Sequence, residues 1–166
     1  MNRISFTVYG QAQTKGSAKA FTFTDKNGKT RASITNDNPK SKEWQSLVAK
    51  LAQEHRPEGG IIKGAVVVGI DFYFLRPKSV PVKKRPHMIV KPDIDKITRS
   101  VLDGLKGTIY ADDAQVIGLN IRKYYGDPPR AEIMIIEVGD GIFAEVESDG
   151  GSHEAAQTQK TGSHSS

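Results

Sequence analysis

Two pairs of aspartates stand where chemistry is plausible. Asp93 and Asp95 flank the start of a run whose apolar residues recur with helical spacing, and Asp112 and Asp113 precede the next strand-like run. Grouped carboxylates suit a hard divalent cation. Magnesium takes one or two of them and completes its shell with water and substrate phosphate. The same residues have structural uses: aspartate caps helices and favours the positive end of the helix dipole, and an Asp-Asp turn is an ordinary solvated turn. Residues i and i+2 diverge on a helix, but an N-cap residue is not helical. Asp93 as cap and Asp95 in the first turn can therefore aim at one point. Asp113 shares parity with Ile117, Leu119 and Ile121, so it is the member of its pair expected to face inward with them. Arg99 lies one turn beyond Asp95 on the same face, either as its ion-pair partner or as a cation for a phosphate. Asp71 is expected to face solvent. His55, His87, His153 and His164 show no ligand spacing. The absence of cysteine excludes disulfides, thiolate zinc sites and cysteine nucleophiles.

Acids alone would repel a polyanion, and the chain carries the opposite charge nearby. Residues 76–92 hold Arg76, Lys78, Lys83, Lys84, Arg85 and Lys91, no acid, and four of the eight prolines. Such a stretch reads as a long loop, functional or disordered, and is expected to order on DNA. Lys15 and Lys19 lie in a second polar, glycine-containing loop. The net charge of +5 hides an asymmetry. Residues 139–166 contain five acids and one base, which leaves 23 bases and 14 acids, a net of +9, in residues 1–138. A body that basic either suits nucleic acid, whose phosphates give affinity without base readout, or is an ordinary soluble basic surface.

The elements that must position these groups follow from periodicity. Ile4, Phe6 and Val8 alternate with polar residues as in a half-buried strand. A hairpin is expected around Asn27-Gly28. Trp44, Leu47, Val48 and Leu51 mark one face of a helix over 41–53. Residues 61–75, rich in valine, isoleucine and aromatics, read as the longest and best-buried strand. A second helix over 94–106 carries Ile94, Ile97, Val101, Leu102 and Leu105 and stops at Gly107. Strands are expected over 115–124, with Ile117, Leu119 and Ile121 inward, and over 131–138. This order predicts an α+β fold: a mixed, mostly antiparallel sheet with two main helices packed on it. One domain over residues 1–138 is expected, followed by an acidic, polar tail over 139–166 that is disordered from about residue 149. No run approaches the ~20 apolar residues that span a bilayer, and residues 1–10 lack the plan of a signal peptide. A soluble, cytoplasmic protein is expected.

At the acidic residues the sequence resembles the RusA family of Holliday junction resolvases, common in bacteria and their prophages. The resemblance rests on Asp93-Ile94-Asp95 opening a helix and on Asp112-Asp113-Ala114-Gln115-Val116. Ser100-Val101-Leu102-Asp103-Gly104-Leu105 and the Lys15-Gly16 loop are also similar, and the likeness runs over residues 4–138. It implies a RusA-like fold and a homodimeric, magnesium-dependent endonuclease, with manganese as a substitute. Such an enzyme resolves four-way branched DNA by paired symmetric nicks in recombination and repair. The family's metal-site aspartates fall on Asp93, Asp95 and Asp113. Its functional lysine falls on Arg99, and the asparagine after the second aspartate is replaced by Lys96. Arginine does not lose its proton, so the group at position 99 stabilises charge and is no general base. Lys15, Lys19, Arg76, Lys83, Lys84, Arg85, Lys91 and Lys96 are the expected DNA contacts. The alternatives are a non-catalytic junction- or single-strand-binding protein and another metal-dependent nuclease. A small-molecule phosphoryl-handling enzyme would be expected to show a P-loop, and no GxxxxGK[ST] pattern occurs.

Overall fold

The computed structural model describes residues 1–15, 18–24, 26–36 and 39–139. Strand β1 (Arg3–Tyr9) buries Ile4, Phe6 and Val8 and turns the residues between them outward, the alternation of a sheet with one face on a core. The expected hairpin follows as β2 (Ala18–Thr24) and β3 (Thr30–Asn36). Its turn contains Gly28 at φ +76°, a left-handed conformation that glycine adopts without a Cβ clash.

Helix α1 (Pro39–Glu54) buries Ser41, Trp44, Val48 and Ala52. Its inner stripe is thus rotated from the expected one: Leu47 is exposed and Leu51 only partly buried. The rotation follows from how closely α1 meets helix α2 (Ile94–Leu105). A Cβ at Gly104 of α2 would stand 2.9 Å from the Gln45 carbonyl oxygen and from the Val48 side chain.

Strand β4 (Val66–Phe74) alternates fully, with Val66, Val68, Ile70, Phe72 and Phe74 inward. It is shorter than expected. Residues 61–65 lie outside it, where Ile62 makes a single bridge to Tyr110. The longest strand is instead β5 (Val116–Tyr125). With β6 (Arg130–Glu137) the main sheet has the order β1-β6-β4-β5. β6 runs antiparallel to both neighbours, while β4 and β5 are parallel and are joined by a crossover containing α2, as parallel neighbours require. The result is the expected α+β class, a mixed and mostly antiparallel sheet with two helices sharing one hydrophobic core with it.

Two local expectations fail, each for its own reason. Ile117 and Leu119 are 51% and 52% exposed, not buried. The β4–β5 register passes from Val66↔Val116 to Val67↔Gly118 and leaves Ile117 unpaired as a bulge. β5 is also the sheet edge, so Leu119 sits at the lip of a groove beside α2.

The proline-rich loop is folded rather than waiting for a ligand. Met88 is buried in the core. The Arg76 guanidinium lies 4.0 Å from the centre of the Tyr125 ring and donates to the carbonyls of Arg85 and Pro86. Residues 140–166 lie outside the described residues, and with them all but the first residue of the expected tail. Among the described residues no helix is long and apolar enough to cross a membrane.

Candidate active site

The first acid pair sits at the entrance of α2. Asp93 occupies the N-cap position with extended backbone, and its carbonyl accepts from the Ile97 N–H. Its side chain makes no capping bond. The carboxylate is drawn instead to the Lys96 ammonium, 3.3 Å away and one turn on. Asp95, in the first turn, faces elsewhere. It lines a groove of about 370 Å³ between α2 and β5, together with Arg99 and Asp113. Apart from Thr98, the groove's other walls are aliphatic: Ile94 and Leu102 from α2, Leu119 and Ile121 from β5. Asp95 and Arg99 also border a small hollow with Lys15 and Lys96. Asp93 borders a third, with Thr14, Lys91 and Lys96.

The second pair is held by a short chain reversal. α2 ends at Leu105, and Gly107 takes φ +74° and donates to the Tyr110 carbonyl. That brings Asp112 to cap a single 3-10 turn (Asp113–Gln115). The Asp112 carboxylate accepts from Ala114 N–H at 3.0 Å and meets Lys106 Nζ at 2.6 Å. These bonds hold its carboxyl below the usual range, the Lys106 bond first, and raise the Lys106 pKa in turn. Gln115 saturates its amide. Its Oε1 accepts from Ala111 and Asp112 N–H, and its Nε2 donates to the carbonyls of Ile62 and Gly64, all at 2.8–2.9 Å.

With its neighbours occupied in this way, Asp113 is left to face the groove. Its Oδ1 is buried with no hydrogen-bond partner. The wholly buried Tyr110 hydroxyl, also without a bond of good geometry, lies close by. Burial raises the Tyr110 pKa most, and the charge of the Asp113 carboxylate and a hydrogen bond to it add to the rise, which makes the hydroxyl the neighbouring donor of this carboxylate.

The structure therefore brings together Asp95, Arg99 and Asp113, with Lys15 and Lys96 at one side. It turns Asp93 toward Lys96. Among the described residues no three acids or histidines are gathered as a cation cage. A buried carboxylate oxygen, in a groove shared with a second carboxylate, fits a magnesium ion that takes two protein ligands and fills its shell with water and phosphate. Asp71 points to the opposite face of the sheet, where it pairs with Arg122 at 3.4 Å.

The expected DNA contacts divide. Lys83, Lys84, Lys91 and Lys96 are exposed. Lys15 is exposed and pairs with Asp103 at 2.7 Å. Arg76 and Arg85 are half-buried and are used inside the loop, both over Tyr125. The Lys19 side chain lies outside the described ones. Sequence reasoning missed the Gln115 clasp and Lys123, whose ammonium donates to the carbonyls of Val90 at 2.7 Å and Pro92 at 2.9 Å. The available signal was parity: Lys123 is the one cation among the inward positions Leu119, Ile121, Lys123 and Tyr125 of β5.

An α+β sheet protein with carboxylates and an arginine at a groove, flanked by exposed lysines, has the layout of a nuclease acting on phosphodiesters. The model of the family Endodeoxyribonuclease RusA matches residues 16–136, and the chain belongs to that family. It is an endodeoxyribonuclease, of a family whose substrate is branched DNA. The chain is also 37% identical over 147 residues to the uncharacterized protein YqaN of Bacillus subtilis (strain 168), covering 83% of this chain and 99% of that protein.

Proposed function

We propose that the protein is a magnesium-dependent, cytoplasmic resolvase that cuts Holliday junctions by paired symmetric nicks during recombination and repair. The observation that carries this reading is the buried Asp113 oxygen in the groove shared with Asp95 and Arg99. Asp95 and Asp113 would hold the ion. Asp93 would join them once Lys96, its partner here, turns to a DNA phosphate. A bound divalent ion supplies an acidified water and neutralises phosphoryl oxygens. Arg99 contacts the charge that builds on the phosphate in the transition state. It takes no proton, because guanidinium stays charged. Lys15, Lys83, Lys84, Lys91 and Lys96 hold the flanking phosphates and fix the register of the strand. Two copies related by a two-fold axis would present equivalent grooves to a junction of matching symmetry.

The test is incubation of purified protein with a mobile four-way junction, with and without magnesium, followed by mapping of the nicks. Symmetric magnesium-dependent nicks are expected, and Asp95→Asn is expected to abolish them while binding the junction normally. Nicking by Asp95→Asn at the wild-type rate removes Asp95 from its assigned role.

A further inference from the structure

Asp93 and Asp95 enter the site on a chain segment that arrives from the long basic loop. That loop and the helix entrance meet at residues 90–92, and a side chain from another element, Lys123, binds the chain there. Lys123 stands on β5 opposite the fully buried Phe72 of β4. Its stem runs on the helix-facing side of the sheet, and its ammonium comes up beneath the chain and binds the carbonyls of both Val90 and Pro92. Asp93 is the next residue, and its own carbonyl starts the hydrogen-bond ladder of α2. Two charge-assisted bonds to successive parts of one turn fix that turn better than a solvated loop can.

We infer that Lys123 is a positioning residue: it sets where Asp93 and Asp95 stand relative to Asp113, and it docks the basic loop on β5. This rests on the groove being the metal-dependent site. It acts through the backbone and touches neither the ion nor the substrate. Residues that orient ligands in this indirect way are worth about 10–100-fold in metal affinity.

Lys123→Met keeps the stem and removes the ammonium. Its affinity for Mn2+, titrated directly through the electron paramagnetic resonance signal of the free ion, is expected to fall about tenfold. Trypsin is expected to cut faster after Lys78, Lys83 and Lys84. The magnesium concentration for half-maximal nicking should rise in parallel with the loss of Mn2+ affinity. Because the chain has no cysteine, Lys123→Cys can be alkylated selectively with 2-bromoethylamine to rebuild an ammonium of nearly native reach. Recovery of Mn2+ affinity and of trypsin resistance on alkylation supports the assignment. Wild-type Mn2+ affinity and trypsin resistance in Lys123→Met overturn it, as does an alkylated variant that regains neither. Failure of the unaltered protein to nick a junction counts against the nuclease reading instead, and the Mn2+ and trypsin measurements still judge Lys123.

Discussion

Asp112 and Asp113 are neighbours of identical chemistry, and their surroundings separate them. Asp112 is spent on a cap and an ion pair, while Asp113 carries a buried oxygen with the Tyr110 hydroxyl for a neighbour. A carboxylate oxygen out of water costs stability. Asp113→Asn is therefore expected to lower nicking by about a hundredfold or more while leaving thermal stability unchanged or higher, measured by junction cleavage and by melting. Asp112→Asn should do the reverse, sparing the chemistry and weakening the turn. Because the Asp112 carboxyl is held low by Lys106, its contribution is complete above the unfolded value of about 4 and fades as pH falls through the lower folded one. Acid unfolding of Asp112→Asn compared with the native chain checks this: the acid limb should flatten.

At the scale of elements, what positions the acids is largely tied to two helix ends and one edge strand. Gly104 lets α1 and α2 approach, and Gly104→Ala is expected to cost about 1–3 kcal/mol in denaturant unfolding because backbone and Val48 stand where the methyl would go. The helices, the hairpin and the two acid pairs were legible, since apolar spacing and an Asn-Gly turn report them directly. Three features were not. The bulge at Ile117 is a tertiary matter of register with β4 and leaves no mark in the alternation of β5. The turn of Asp93 toward Lys96 is a contest between a cap and an ammonium that composition cannot decide. Gln115 looked like a polar residue at the mouth of a strand, yet its four bonds tie the 3-10 turn to the approach to β4. Gln115→Leu, close in size but unable to hydrogen-bond, should destabilise the fold by about 2 kcal/mol or more, readable in a urea titration.

For the whole molecule, charge and burial set the working conditions. The exposed lysines around the groove predict that junction affinity falls steeply between 50 and 200 mM salt, by on the order of 10³-fold if about six phosphates are contacted. A flat response in a filter-binding series would show that phosphate contacts do not dominate. At the alkaline end, Lys106 is raised by its bond to Asp112 and Tyr110 is raised chiefly by burial. Groups raised on folding give stability that is intact below their unfolded values, about 10, and lost as pH climbs beyond them. Unfolding above about pH 10 is expected, and Tyr110→Phe should shift its onset upward.

The last strand among the described residues, β6, is inserted between β1 and β4. A nascent chain on the ribosome holds the acid pairs and the lysines well before it holds the strand that joins the two halves of the sheet. Translation products that stop short of β6 have no such bridge, so an abortive fragment lacks the scaffold on which a DNA-cutting groove depends.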